Sequence, residues 1–261
     1  MSSLVTDIVL DPEIEGALKN AYGLTPKAQA TPVPQTQPAR EPQPMPRPAP
    51  APEPDSQSPA ISTGTGFAVC QSGYIVTACH VIEDADSIQV KFPGERWAPA
   101  RVVKKSFSND IAILKVDSVL LNVLALTDKI KLGQKIFTIG YPVPGLLGTE
   151  PKYADGSISS VAGIADEASL MQVSVPLQPG NSGGPLLNIK GQVVGMATSA
   201  AKIETFYENT GTLPQNINWA IKSPFIKVLL PQDCINVDGP GEKDPVELAR
   251  NSVCLIKTET Y

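Results

Sequence analysis

From Ile61 onward the chain is a series of short, β-rich runs separated by turn residues. Runs of this length and spacing are typical of β-barrels. The runs are residues 67–69, 74–76, 87–92, 100–103, 111–116, 135–139, 157–159, 170–173, 192–196 and 217–221. They suffice for two barrels, spanning about residues 60–118 and 134–222. The sequence therefore predicts an all-β fold of two packed barrels within a domain at 60–230.

After the last of these runs, the sequence contains residues that are typical of the start of a helix. Ser223 and Pro224 have the residue types of an N-cap and a first helical position, so a short helix is expected to close the second barrel. In the C-terminal tail, residues 231–261, the sequence predicts one or two helical turns at 244–250 and a strand at 252–257. We expect this strand to pack against a barrel edge. Delivery of the C-terminal peptide into another protein, or into a neighbouring copy, is the alternative.

Two segments precede the β-rich region. Residues 1–30 contain a possible short helix at 12–22, which is a candidate for docking on a partner. Residues 31–59 are rich in proline, which removes backbone donors and leaves little apolar bulk, so they are expected to form a disordered, polyproline-like arm. We interpret this arm as a tether. The alternative is that Pro46-Arg47-Pro48 binds an aromatic-lined groove of a partner.

Charge and hydropathy exclude two classes of partner. The net charge of −5 and the absence of a basic stripe argue against nucleic-acid binding. No run reaches the roughly 18 consecutive apolar residues of a membrane span.

The N-terminus lacks the basic region of a signal peptide, so the sequence as written favours the cytoplasm, and a processed fragment would favour the periplasm or secretion.

The sequence offers a candidate base in His80, the only histidine of the chain, and a candidate nucleophile in Ser182, within the glycine-rich segment 179–185. A serine hydroxyl is a poor nucleophile at neutral pH, so it needs an imidazole to take its proton and a third group to orient that imidazole. Asp110, at the start of the apolar run 111–116, is the candidate carboxylate. The order His80, Asp110, Ser182 differs from the orders found in α/β-hydrolases and subtilisins.

Five segments carry a family resemblance. They are residues 64–67, 74–81, 109–116, 179–186 and 191–195. Together they resemble trypsin-like serine proteases of the bacterial HtrA/DegP-like type, over about residues 60–230. The resemblance implies two packed antiparallel β-barrels with the catalytic residues in the cleft between them. It also implies a serine endopeptidase that cleaves protein or peptide substrates through an acyl-enzyme, with no cofactor and no metal.

The resemblance assigns further roles around the serine. The backbone N–H groups of Gly180 and Ser182 would form the oxyanion hole, and the glycine fits because a side chain there would obstruct the approach. The pocket for the residue before the scissile bond would be lined by Pro176, Leu177, Thr198, Ser199, Ala200 and Asn218. None of these is acidic, so an uncharged side chain is expected at that position.

The chain also departs in two ways from the family that it resembles. No activation site like Ile-Val-Gly-Gly precedes the barrels, and the roughly thirty residues after Leu230 are too few for a PDZ domain.

Each candidate residue also has a simpler interpretation: a turn serine, a core histidine or a capping aspartate. The alternative function is therefore a catalytically weak peptide-binding or scaffold protein that uses the same cleft and the Pro-rich arm.

The four cysteines show no metal-binding spacing. Cys70 is expected at a hairpin tip and Cys79 far down the return strand, too distant for a bridge. Cys79 is predicted to be a buried thiol. A bridge between Cys234 and Cys254 is favoured, which would suit an oxidising compartment.

Overall fold

The computed structural model describes residues 59–118, 122–163, 166–198, 217–235 and 244–261. Their architecture is mostly β, with a few short helices, which confirms the all-β prediction. The expected N-terminal helix at 12–22 and nearly all of the Pro-rich arm lie outside the described residues. Within the described residues, no helix is long and apolar enough to cross a membrane.

Within the described part of the chain there are thirteen strands, three short α-helices and two 3-10 turns. The strands are β1 (Ala60–Cys70), β2 (Tyr74–Ala78), β3 (Ser87–Lys91), β4 (Ala98–Pro99), β5 (Arg101–Ser106), β6 (Ile111–Lys115), β7 (Lys135–Gly140), β8 (Lys152–Ser160), β9 (Leu170–Val173), β10 (Pro185–Asn188), β11 (Val193–Ala197), β12 (Asn218–Lys222) and β13 (Val253–Thr260). The helices are α1 (Pro144–Leu147), α2 (Ser223–Lys227) and α3 (Pro245–Ser252), and the 3-10 turns are Cys79–Ile82 and Gln232–Cys234.

The strands form two antiparallel sheets. The first is a curled, seven-stranded half-barrel in the order β4-β3-β13-β1-β2-β6-β5, and the second is a closed barrel in the order β10-β11-β12-β9-β8-β7. The predicted pair of β units is therefore present, although only the second is closed. The larger cluster of buried side chains joins Phe67 and Ile113 of the first sheet to Leu187 and Val193 of the barrel, so the two units share a core.

The β1–β2 connection is the tight hairpin that the sequence predicts. Gly73 has a φ of +96°, a conformation that L side chains rarely adopt, and its N–H donates to the Cys70 carbonyl at 3.0 Å. A Cβ at Gly73 would collide with the carbonyl oxygen of Val116. This turn fixes the register that leads β2 directly to the 3-10 turn containing His80.

Helix α2 lies where a helix was predicted, but its start differs in detail. Its N-cap is Lys222, and Ser223 is the first helical residue. The Ser223 hydroxyl donates to the carbonyl of Thr127 at 2.5 Å, so it ties the helix to the segment leading into the barrel instead of capping the helix.

The C-terminal strand corrects the expectation of edge packing. Strand β13 lies inside the first sheet, paired with β1 on one side and β3 on the other, and Thr260 is opposite Ala60. Residues 253–256 are all buried. A run that is apolar at consecutive positions is typical of a strand covered on both faces, and an internal position provides that cover.

The disulfide prediction is wrong. Cys70 is bonded to Cys234, with the two Cα atoms 5.1 Å apart, whereas Cys79 and Cys254 are free and buried. Cys254 is the second residue of β13 and lies opposite Gly66, four residues before Cys70 in β1. The 3-10 turn at 232–234 instead brings Cys234 to the end of β1. The expectation that Cys79 is a buried thiol is confirmed.

Loss of this disulfide is expected to destabilise the fold. The double substitution Cys70→Ala and Cys234→Ala should lower the free energy of unfolding by about 2–5 kcal/mol, because the bridge restricts the unfolded chain. Urea denaturation with and without reductant measures the effect. Reductant should destabilise the wild-type protein and leave the double variant unchanged. Equal stability of the oxidised and fully reduced wild-type protein would contradict the prediction.

Candidate active site

His80 is presented by a single 3-10 turn at the end of β2. Cys79, Val81 and Ile82 of this turn are buried, whereas the His80 side chain is 36% exposed. Because these three side chains are buried, they fix the turn against the interior of the protein. The imidazole is therefore held on a rigid element and remains accessible to a substrate.

Asp110 lies immediately before β6 and binds the histidine at two points. Its Oδ2 is 2.8 Å from Nδ1 of His80, and its Oδ1 accepts the His80 backbone N–H at 2.9 Å. The Asp110 carbonyl accepts the N–H of Cys79 at 3.1 Å. Asp110 has a φ of +52°, which is uncommon for a residue with a side chain. The residues predicted as base and orienting carboxylate are thus brought together.

Thr198 provides a third donor to the same carboxylate. Its hydroxyl donates to Oδ2 of Asp110 at 2.7 Å. Burial alone would raise the pKa of Asp110, but the hydrogen bonds from His80 and Thr198 outweigh burial and lower the pKa below its ordinary value. The sequence predicted Thr198 only as a pocket residue. No local signal marks this contact, because Thr198 follows β11 of the barrel whereas Asp110 precedes β6 of the first sheet.

The loop carrying Ser182 contacts the first sheet closely. Gly183 has a φ of +84°, and a Cβ at this position would lie 2.8 Å from the backbone nitrogen of Ala78 and would collide with the carbonyl oxygen of Thr65. Ala78 is two residues before His80. Only glycine fits where the serine loop contacts these two strands so closely. This contact places the serine loop next to the turn that carries the histidine.

Two carbonyl groups of the serine loop are bound by one residue of β1. The Thr65 hydroxyl donates to the Gly180 carbonyl at 2.6 Å, and the Thr65 N–H donates to the Ser182 carbonyl at 3.0 Å. Thr65 is fully buried. This residue is outside the predicted site, although the glycine-flanked segment that contains it contributed to the family resemblance.

The two carbonyls that alternate with these are also bound. The Pro179 carbonyl accepts the N–H of Val143 at 2.8 Å, and the Asn181 carbonyl accepts the N–H of Gly184 at 2.9 Å. Four consecutive peptide groups, from residue 179 to residue 183, therefore have their carbonyl oxygens fixed. These hydrogen bonds fix the backbone of the loop.

The amide groups of the same loop divide into two sets. Two of them donate to carbonyls elsewhere in the chain: Asn181 to Gln178 at 2.9 Å, and Gly183 to Ala197 at 2.8 Å. The other two, those of Gly180 and Ser182, have no hydrogen-bond acceptor among the described residues. Because the carbonyl of each peptide group is fixed, the direction of its N–H is fixed as well. Two oriented amide donors on alternate peptide groups are an arrangement that can stabilise an oxyanion.

The predicted pocket residues are only partly described. Pro176 is exposed, Leu177 is half-buried against the barrel core, and Asn218 is buried with its side-chain amide donating to the Val175 carbonyl at 2.8 Å. Ser199 and Ala200 lie outside the described residues. Among the described residues, the one cluster with metal-ligand chemistry is Cys70, Asp233 and Cys234, and its two cysteines are joined in the disulfide.

The fold and this site together define a class. A histidine–aspartate pair on one β unit, beside a glycine-rich serine loop on a second, is the arrangement of the serine peptidases built from two β-barrels. Residues 64–196, about half of the chain, match the family described as the trypsin-like peptidase domain. The chain belongs to this family.

Relatives of known sequence support the assignment. The chain is 37% identical over 140 residues to a probable periplasmic serine endoprotease of Halomonas elongata described as DegP-like, a match that covers 52% of this chain and 29% of the relative. It is 34% identical over 171 residues to the uncharacterized protein y4bJ of Sinorhizobium fredii, covering 66% of this chain and 27% of that protein. The chain thus spans less than a third of the length of these relatives, and it is homologous to DegP-like serine endoproteases in the protease part.

Solved structures show the same similarity. The serine endoprotease from Yersinia pestis superposes with a TM-score of 0.54 at 27% identity, covering 68% of this chain and 63% of that one. The HtrA-type protease AlgW, solved with a decapeptide, superposes with a TM-score of 0.53 at 27% identity, covering 63% of this chain and 50% of that one.

Proposed function

We propose that the chain is a serine endopeptidase in which Ser182 is the nucleophile, His80 the general base and Asp110 the orienting carboxylate. The observation that carries the proposal is the bond between Nδ1 of His80 and Oδ2 of Asp110, 2.8 Å long. It places the ring proton on Nδ1, because the ionised carboxylate is an acceptor only. The other ring nitrogen, Nε2, is then the basic one, as removal of the serine proton requires.

We assign each step of the proposed reaction to one of these groups. His80 takes the proton of the Ser182 hydroxyl while the serine oxygen attacks the scissile carbonyl carbon. The carbonyl oxygen gains negative charge and binds the N–H groups of Gly180 and Ser182. As the peptide bond breaks, His80 returns the proton to the leaving amine and the acyl-enzyme forms. Water then attacks the acyl-enzyme by the same route, which releases the acid product and restores the serine.

The proposed substrate is a protein or peptide with an uncharged side chain before the scissile bond. A pocket for lysine or arginine needs a carboxylate that pairs with the cation, since an unpaired buried charge is costly. The described pocket candidates Pro176, Leu177, Thr198 and Asn218 carry no charge. Leu177 adds apolar surface at the wall of the barrel. We therefore expect a small or medium neutral side chain at this position.

Labelling with a fluorophosphonate tests the proposal, because this probe forms a covalent bond only with an activated serine. The wild-type protein should be labelled, and Ser182→Ala should not. His80→Ala should be labelled much more slowly, since the hydroxyl then lacks its base. Absence of labelling in the folded wild-type protein would refute the hydrolase proposal and favour a peptide-binding or scaffold protein.

A further inference from the structure

Thr65 is a fully buried residue of β1, and every polar group it carries is hydrogen-bonded. Its N–H donates to the Ser182 carbonyl at 3.0 Å, and its carbonyl accepts the Thr77 hydroxyl at 2.8 Å. Its hydroxyl donates to the Gly180 carbonyl at 2.6 Å and accepts the N–H of Tyr141 at 3.0 Å. One residue of the first sheet therefore fixes two points of a loop that belongs to the barrel.

The direction of the hydroxyl proton is decided by these partners. An amide N–H can only donate, so the bond from Tyr141 uses an oxygen lone pair of Thr65. The hydroxyl proton is then directed to the carbonyl of Gly180, which can only accept. Rotation of the hydroxyl would break one bond and leave a buried polar group unpaired, which is unfavourable. The side chain of Thr65 is thus held in a single orientation.

The peptide group joining Gly180 to Asn181 is the part of the loop that most needs such support. Gly180 has a φ of +95° and no side chain, so its backbone has more rotational freedom than that of other residues. This peptide group lies between the two that bear the proposed oxyanion donors. If it rotated, the orientation of the N–H groups of Gly180 and Ser182 relative to each other would change. The Thr65 hydroxyl bonds its carbonyl, and Gln178 accepts its N–H.

The surroundings of Thr65 leave it little room to move. A Cβ at Gly64 would lie 2.5 Å from a methyl carbon of Val81, and a Cβ at Gly66 would lie 2.9 Å from Cδ1 of Ile256. The backbone on both sides of Thr65 is therefore packed directly against neighbouring side chains. Val81 is next to His80 in the 3-10 turn, so this packing also joins Thr65 to the element that presents the base.

From this geometry we infer that Thr65 is a positioning residue for the oxyanion hole. It keeps the peptide group of Gly180 and Asn181 in the orientation that directs the two flanking N–H groups at one point. The inference rests on the proposed function, because it assigns Thr65 a role in the same reaction. Thr65 itself does not contact the reacting atoms; it acts through the loop.

The test compares Thr65→Val, Thr65→Ser and the control Thr258→Val. Valine keeps the shape of threonine and removes the hydroxyl, whereas serine keeps the hydroxyl. Thr258 is also a buried threonine of the first sheet, and its hydroxyl bonds the Ser62 carbonyl, outside the serine loop. We expect kcat of Thr65→Val to fall by about 10- to 100-fold, since misplaced catalytic groups cost rates of this order. KM should stay within about two-fold, because the hole contacts the transition state more strongly than the substrate.

A second measurement separates positioning from general stability. A peptide boronate forms a tetrahedral adduct with the serine that resembles the transition state, so its affinity should fall in Thr65→Val by a factor similar to the loss in kcat. Thr65→Ser should recover most of both losses. Thr65→Val and Thr258→Val should each lower Tm by about 2–4 °C per kcal/mol lost, but Thr258→Val should keep the wild-type kcat and boronate affinity.

The possible outcomes are distinguishable. Wild-type kcat and boronate affinity in Thr65→Val would overturn the inference while leaving the proposed function intact, and so would equal losses of kcat in Thr258→Val. A folded wild-type protein that neither hydrolyses peptides nor reacts with fluorophosphonate would overturn the proposed function and the inference together. If Thr65→Val does not fold, Thr65→Ala replaces it, because a smaller side chain cannot overpack the site, and the same expectations apply.

Discussion

Replacing Ser182 by alanine is expected to lower kcat for peptide hydrolysis by about 10⁶-fold, the loss seen when a serine peptidase loses its nucleophile. The substitution removes one oxygen atom and leaves the glycines of the loop in place. It also leaves the backbone N–H groups of Gly180 and of residue 182. KM should therefore change little, and the remaining activity should reflect binding and the oxyanion hole alone. Steady-state hydrolysis of a peptide with a neutral residue before the scissile bond measures the loss.

A matched control is available in Ser118, an exposed serine after β6. Ser118→Ala should retain wild-type kcat and KM, because this serine lies beside the turn at Gly73 and outside the loop at 179–185. Thermal unfolding should show that Ser182→Ala remains folded, because removal of the half-buried hydroxyl leaves only a small cavity. Retention of more than a small fraction of wild-type activity in Ser182→Ala would show that another nucleophile operates.

The substitution Asp110→Asn is expected to lower kcat by about 10⁴-fold with little change in the geometry of the site. An amide can donate a hydrogen bond to Nδ1 of His80, which favours the tautomer whose proton is on Nε2. That tautomer cannot take the serine proton. The carboxylate also accepts from the His80 backbone and from Thr198, so the amide would satisfy some of these donors and not others. Single-turnover kinetics should assign the loss to acylation.

The same substitution has an expected effect on stability that depends on pH. Hydrogen bonds hold the pKa of Asp110 below its ordinary value despite partial burial. A group with a lowered pKa in the folded state stabilises the fold fully above its unfolded pKa of about 3.9. The stabilisation is lost as the pH falls through the lower, folded pKa. The stability difference between wild type and Asp110→Asn should therefore be constant at neutral pH and shrink only in acid.

Urea denaturation between pH 7 and acid pH measures this difference, with Asp117→Asn as the control. Asp117 is an exposed carboxylate in the turn after β6. Its substitution should leave kcat and the pH dependence of stability close to wild type. A loss of activity in Asp117→Asn comparable to that in Asp110→Asn would show that general electrostatics, and not the bond to His80, accounts for the effect.

Local patterns predicted the elements of this protein well. The hairpin before β2, most of the strands and the helix after β12 lie where turn residues and apolar runs placed them. The predicted base, His80, is in bonding contact with the predicted carboxylate, Asp110. These predictions depend on residue types and short local motifs, such as the single histidine in Thr77-Ala78-Cys79-His80-Val81.

Contacts between distant segments were not predictable in the same way. The partner of Cys70 is Cys234, 164 residues away, and the strand that completes the first sheet comes from the end of the chain. Thr65 and Thr198 are ordinary strand residues by sequence, and their roles depend on which atoms the tertiary fold brings to them. Elimination among four cysteines favoured the wrong pair, because spacing along the chain does not give the distance between Cα atoms.

The sequence by itself determined the all-β class, the order of the candidate catalytic residues and the glycine-rich form of the serine loop. These features depend on the spacing of the β-rich runs, on the turn residues between them and on residue types, all of which are local properties of the chain. Only the tertiary structure decided that β13 lies between β1 and β3, that Cys70 pairs with Cys234, and that Thr65 and Thr198 bind the loop and the carboxylate. The physical reason is that hydrogen bonds and packing act over a few ångströms in space. Segments far apart in the chain come within that range only when the whole core is assembled.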